Sequence, residues 1–177
     1  MATREALREF QSRLASRLQA ARTSGVSASW LAVEAGAARY LFPLGQAGEI
    51  FPWTAPQPVP YTLPWFLGVA NLRGGLYGVV QLSAFAGGER PAPASTESAR
   101  AQSRLVALNE ALDVNCALLI DRLVGLRGVE AFKSSQAPAA DAPAWQGHTY
   151  TDAAGQRWQE INLQSLSQQP EFLSIGA

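Results

Sequence analysis

The sequence predicts a mainly β protein in which two small barrels pack together, with a helix at the N-terminus and a short helix at the C-terminus. Three observations predict it. From Trp30 onward the apolar spacing changes from the three-and-four step of a helix to alternation and short apolar runs. Those runs fall into two groups separated by Gly87 to Ser103, a stretch with almost no large apolar residue that reads as a mobile loop. Glycines and prolines also stand where a flat sheet would not tolerate them, so the sheets must bend.

Residues Thr3 to Arg22 place Leu7, Phe10, Leu14, Leu18 and Ala21 on one helical stripe, with Thr3 as a cap and five arginines and two glutamates among the other positions. The expectation is that this stripe packs on the protein's own domain; the alternative is that it docks on a partner or on acidic lipid. Thr23 to Ser27 ends the helix as a linker.

Trp30–Glu34 and Arg39–Pro43 form a hairpin around Ala35-Gly36-Ala37-Ala38. Gly45 and Gly48 then mark a bulge or a close backbone approach in the strand reaching Phe51. Five prolines between Pro52 and Pro64 bar that segment from the middle of a sheet, so it runs as an extended surface connection. Trp65 to Val80 follows as two apolar runs around a tight Asn71-Leu72-Arg73-Gly74-Gly75 turn, which leaves one guanidinium at the edge of an apolar β structure. Such a cation must be met by a carboxylate, a carbonyl or a partner, and this points to recognition.

Beyond the loop, Leu105–Asn109 and Val114–Asp121 form a second hairpin, and Val124–Phe132 supplies another strand. Ser134 to Pro143 reads as an alanine- and proline-rich loop. Thr149–Thr151 then pairs with Trp158–Leu163 across Asp152-Ala153-Ala154-Gly155, and Gln164 to Leu173 closes the chain with helical character. The organisation expected is an N-terminal helix and linker at 1–26, one domain of two β halves at 27–169 with the mobile loop near 87–103, and a tail at 170–177.

The 14 basic and 14 acidic residues cancel, and only 16% of the 177 residues are charged, so the one-sided field that nucleic-acid binding needs is missing. No window is long and apolar enough to insert in a membrane and no secretory pattern opens the chain, which places it in the cytoplasm. His148 is the only histidine and Cys116 the only cysteine. A histidine–cysteine metal centre is therefore excluded, and Cys116 lies in an apolar run as a core residue. No nucleophile elbow, dinucleotide fingerprint or phosphate loop is present, and Glu34, Glu49, Asp121 and Glu160 stand singly, which argues against an enzyme. Glu49 either pairs with Arg73, meets a partner or faces solvent. Trp30, Trp53, Trp65, Trp145 and Trp158 are spread over separate elements and read as core or core-edge residues.

Trp30-Leu-Ala-Val-Glu34, Arg39-Tyr-Leu-Phe-Pro-Leu44, Gly48-Glu-Ile50, Phe66-Leu-Gly-Val-Ala-Asn-Leu-Arg-Gly74 and Val79-Val-Gln-Leu82 resemble the first half of the CheW-like chemotaxis adaptor family. Leu105-Val-Ala-Leu-Asn109 and Ala117-Leu-Leu-Ile-Asp121 resemble its second half, and the likeness runs from about Trp30 to Leu163. Within the family it is greatest to the adaptor of the type IV pilus (twitching motility) chemosensory system, through Pro43–Glu49, Trp65–Asn71, the helical N-terminal extension and the Pro170–Leu173 tail.

The resemblance implies two five-stranded SH3-like β-barrels around a shared apolar groove. It also implies a non-catalytic scaffold without a cofactor, coupling the cytoplasmic tip of a methyl-accepting receptor to a CheA-type histidine kinase at membrane-associated arrays. The receptor- or kinase-facing positions it implies are Ala47, Glu49, Gly68, Val69 and Arg73. A flagellar chemotaxis adaptor and a small-ligand-binding barrel are the alternatives. The chain departs from the pattern at Ala47, where a large aliphatic residue is usual, and at Gly78, Gln81 and Cys116-Ala117.

Overall fold

The computed structural model describes residues 2–23, 29–87 and 96–176. Helix α1 (Ala2–Thr23) comes first. Its Leu7, Phe10 and Leu14 are exposed to solvent, which corrects the expectation that this stripe packs on its own domain. The side chains of Leu18 and Ala21 and the linker at 24–28 lie outside the described residues, as do 88–95 in the expected loop.

Strands β1 (Trp30–Ala35) and β2 (Ala38–Pro43) pair as the first hairpin, and β3 (Ala47–Pro52) follows. The proline-rich connection then leads to the hairpin of β4 (Phe66–Leu72) and β5 (Gly75–Gln81) and to a short α2 (Leu82–Gly87). Part of the segment expected as a loop is instead α3 (Glu97–Gln102). The Thr96 hydroxyl accepts from Ala99 N at 3.1 Å, a cap strong enough to start a helix with no apolar face.

β6 (Arg104–Leu108) and β7 (Cys116–Ile120) form the second hairpin. The single strand expected from Val124 to Phe132 is two, β8 (Arg122–Arg127) and β9 (Phe132–Gln136), separated by a 3-10 turn at Val129–Ala131. The break follows at Gly128, whose carbonyl accepts from Ala131 N at 3.1 Å and closes that turn, whereas Gly125, with φ of +141°, stands at a bulge inside β8. β9 also takes Ser134–Gln136 out of the expected alanine–proline loop. β10 (Gln146–Asp152) and β11 (Arg157–Ile161) make the last hairpin, and α4 (Leu163–Gln168) and α5 (Pro170–Leu173) close the chain.

The strands form one sheet ordered β8-β1-β2-β11-β10-β9 and another ordered β3-β6-β7-β5-β4. Each sheet therefore draws strands from both sides of the loop, whereas chain order alone would assign one group to each barrel. The counts are six and five, not two fives, and among the described residues no pairing joins the outer strands of either sheet.

Both sheets nevertheless curl far enough for side chains to close the seam. Trp30 on β1 and Phe132 on β9 stand four strands apart, about 19 Å in a flat sheet, yet their ring centroids are 5.7 Å apart. Phe51 on β3 and Tyr77 on β5 come within 6.0 Å in the same way.

Curling gives the central strands β1 and β7 two apolar faces, and this is why both are buried almost without interruption. In β1, Leu31 and Val33 point between the sheets while Trp30 and Ala32 point inside the curl of their own sheet. In β7, Leu118 and Ile120 face the inter-sheet core, while Ala117 and Leu119 face the interior of the second sheet. The space between the sheets is a packed core, which Phe42, Phe66, Leu82, Val106, Ile161 and Leu166 help to fill. Trp30, Trp145 and Trp158 are buried and Trp53 and Trp65 are half-buried at core edges, as their dispersal in the sequence implied.

Candidate docking site

The Arg73 turn is built by local chemistry. Leu72 pairs with Gly75, leaving Arg73 and Gly74 as a two-residue loop with φ of +50° and +83°. Positive φ at both central residues is what a type I′ hairpin turn demands, because that turn matches the twist of the strands it joins. The Asn71 side-chain oxygen accepts from Gly74 N at 3.0 Å and fixes the bend. Glycine or asparagine suits both loop positions best, so an arginine in the first of them is held against its backbone preference.

The facing wall is β3, an outer strand of the same sheet. Ala47 pairs with Leu108 and Ile50 with Val106, so Gly48 and Glu49 together oppose Ala107 as a bulge. Glycine is needed at 48 because a Cβ there would lie 2.7 Å from the Leu108 carbonyl oxygen. The bulge resets the alternation so that Glu49 points outward while Phe51 turns into the sheet interior.

Arg73 reaches across the seam, ion-pairs with Glu49 and holds its guanidinium 5.9 Å above the Phe51 ring. The Arg73 side chain is 76% exposed and that of Glu49 42%, so the pair adds little to stability. Its effect is to hold a fan of guanidinium donors in a defined orientation over an aromatic face. Leu76 stands exposed beside it on β5, and a shallow cleft of about 260 Å³ opens between Glu49, Tyr77 and Asn109.

Glu49 and Arg73 thus meet directly, with Ala47 half-buried two residues back on the same strand. Gly68 and Val69 serve the edge of β4. Gln57 of the proline-rich connection donates to Val69 O at 2.7 Å and accepts from Val69 N at 2.9 Å. Gly68 makes that approach possible, since its φ is +133° and a Cβ would fall 2.0 Å from the Gln57 carbonyl oxygen. Sequence reasoning missed Phe51, Tyr77 and Gln57 as parts of this site. Phe51 was readable as the first aromatic residue after the bulge; Gln57 carried no signal.

Elsewhere, three ionisable groups owe their state to their surroundings. Arg122 donates to both Glu34 oxygens at 3.0 and 2.8 Å and holds that carboxyl below its ordinary range. Trp158 Nε1 donates to Asp152 at 3.0 Å, and with Gln156 N and Ala154 N it lowers Asp152 as well. Burial pushes the Cys116 thiol up to about 12, leaving it inert as a nucleophile. Among the described residues no three histidine, cysteine or carboxylate side chains converge as a metal site requires.

Residues 29–171 match the CheW-like domain family. The chain is 29% identical over 168 residues to Protein PilI of Pseudomonas aeruginosa, covering 93% of this chain and 89% of that one. Its fold is similar to the crystal structure of the scaffolding protein TtCheW from Thermoanaerobacter tengcongensis, with a TM-score of 0.58 at 14% identity over 76% of this chain and 88% of the other. Two curled, interleaved sheets, a matching family model across most of the chain and a relative along nearly its full length lead to one conclusion: the chain belongs to the CheW-like domain family.

Proposed function

We propose that the protein is a non-enzymatic cytoplasmic scaffold that couples the tip of a methyl-accepting receptor to a CheA-type histidine kinase at membrane-associated arrays, in a system controlling type IV pilus motility. The observation that carries this reading is Arg73, kept in a left-handed turn position and aimed by Glu49 and Phe51 at open solvent. A residue placed against local backbone preference, in a pair that stabilises the fold little, is explained by what it presents to others. The similarity to PilI favours the pilus system over the flagellar one.

In this reading a receptor helix lies along β3 and the β4–β5 hairpin, covers Leu76 and the Ala47 side of β3, and offers a carboxylate or carbonyl to Arg73. Wrong poses leave the guanidinium unmatched, so the charge sets register while apolar contact supplies affinity. Gly68 and Val69 act in support by seating the connection that shapes the hairpin edge. Kinase contacts lie on other exposed strand edges.

The test is binding of a soluble receptor-tip fragment and stimulation of the cognate kinase by Arg73→Ala. Loss of a charge-assisted hydrogen bond worth about 1.5–3 kcal/mol predicts receptor affinity lowered on the order of tenfold to a hundredfold, with an unchanged circular dichroism spectrum. Full binding of both partners by that variant would remove the reading.

A further inference from the structure

We propose that α1 is a second receptor-binding element, which packs Leu7, Phe10 and Leu14 along an acid-edged helix of the receptor tip, next to the Arg73 site. This rests on the receptor reading given above and adds a further contact with the same partner. The three side chains form one stripe and are 61%, 65% and 51% exposed, and every residue from Glu5 to Ala15 is exposed. The protein's own sheets leave the stripe uncovered. An apolar stripe on a polar helix is the surface by which one helix takes another.

The root of the helix fixes which partner lies in reach. Ser29, the first described residue after α1, donates to Arg127 O at 2.9 Å, and its carbonyl accepts from Leu44 N at 3.1 Å. Leu44 is itself exposed and stands three residues before Ala47, so at most about 11 Å of chain separates it from the β3 wall of the Arg73 site. Residues 24–28 allow at most about 20 Å between Thr23 and Ser29. A helix about 33 Å long therefore starts beside that wall, and its stripe is confined to the neighbourhood of whatever docks there.

Charge selects the chemistry of the partner. At 3.6 residues per turn the arginine positions 4, 8, 13, 17 and 22 fall about 60–120° from the stripe centre, on both flanks. Glu5 and Glu9 fall about 140–180° away, at the back of the helix. Flanking positions are where paired helices match charge, so the helix that fits carries carboxylates along the edges of its own apolar stripe. Arg13 leans on Glu9 at 3.3 Å, but both side chains are highly exposed and the pair yields readily to a partner's carboxylate.

Five arginines and two glutamates give α1 a charge of +3. The whole chain is neutral, so the remainder carries −3, and α1 is the cationic arm that steers an acidic partner inward. A second copy does not fit the same surface. Two such helices meeting stripe to stripe would set arginine against arginine along both edges of the seam.

The experiment measures binding of a soluble, helical fragment of the cognate receptor tip to the full-length protein and its variants. Phe10→Glu should lower affinity on the order of tenfold to a hundredfold, from the loss of one buried aromatic. Arg8→Gln with Arg13→Gln should lower it about threefold and reduce its dependence on salt. Cys116 is buried, so a thiol introduced on α1 takes a benzophenone label selectively. The label on Gln11→Cys, about 60° from the stripe centre, should crosslink to the receptor fragment, and the label on Ser12→Cys, about 160° away, should not. Near-ultraviolet circular dichroism of each variant, reporting the tryptophans of the sheets, should match the parent. If the parent fails to bind the fragment, the receptor reading falls and this proposal falls with it. If Arg73→Ala loses binding while Phe10→Glu keeps it in full, the role of α1 alone is overturned. Equal crosslinking from positions 11 and 12, or capture of the protein's own sheets by the position 11 label in the complex, would overturn it too. So would a receptor-free dimer in sedimentation velocity that Phe10→Glu dissociates, which would assign the stripe to a second copy.

Discussion

Arg73 separates stability from recognition within a single side chain. Replacing it with glycine relieves a left-handed backbone cost of about 1–2 kcal/mol and adds a backbone-entropy cost of about 0.5–1 kcal/mol. Urea denaturation of Arg73→Gly should therefore give a stability within about 1 kcal/mol of the parent, even though the Glu49 pair is gone. A loss well beyond that would make the pair a structural strut. Asp152 gives a second test at this scale. Its carboxyl is lowered by Trp158 first and by two backbone N–H groups, so its contribution to folding is complete above the unfolded-state value near 3.8 and disappears as pH falls through the lower folded value. Glu34, held down by Arg122, acts in the same direction. Asp152→Asn should flatten the acid limb of the stability-against-pH curve below about pH 4, read as midpoint temperature across a pH series. An unchanged limb would show that the Trp158 contact is not kept in solution.

At the level of elements, the proline-rich connection is held to β4 by the two hydrogen bonds between Gln57 and Val69, and Gly68 leaves the space they need. Gly68→Ala forces the connection away or the strand out of register. We expect a loss of about 3 kcal/mol by chemical denaturation, together with faster proteolysis between Trp53 and Pro64. The elements themselves were legible wherever turn chemistry or apolar periodicity wrote them: the hairpins around Gly36, Arg73 and Gly155, the bulge in β3 and the helical tail. α3 and β9 were not legible, for a shared physical reason. α3 is a polar helix made by its Thr96 cap, and β9 is a serine-rich outer strand made by its neighbour β10, so neither carries a periodic apolar face. In the site, the Glu49–Arg73 pair was one of the open readings of the sequence, because opposite charges on apolar segments suggest each other. Their union over Phe51 depends on how tightly the sheet curls, and no local pattern records that.

Across the whole molecule, the interleaving of the two sheets escaped the sequence most completely. A strand's partner is a non-local property, and the polar stretch between the strand groups marks a connection without telling which strands lie together. Parallel pairs β2–β11 and β5–β7 tie the first half of the chain to the second in both sheets. Neither half can bury its apolar faces alone. Fragments 1–87 and 96–177, made separately, should lack any cooperative thermal transition and should regain one when mixed. A melting transition in either fragment by itself would show that one half is self-sufficient.

The β2–β11 contact has a further consequence for how the chain is made. The strand completed at Pro43 must wait for residues 157–161 before its second edge is covered. During synthesis, nearly the whole polypeptide leaves the ribosome with that apolar ribbon open on one side. Because distant pairings of this kind form slowly, the nascent protein leaves that edge uncovered for longer than a protein of equal length that assembles from neighbouring hairpins.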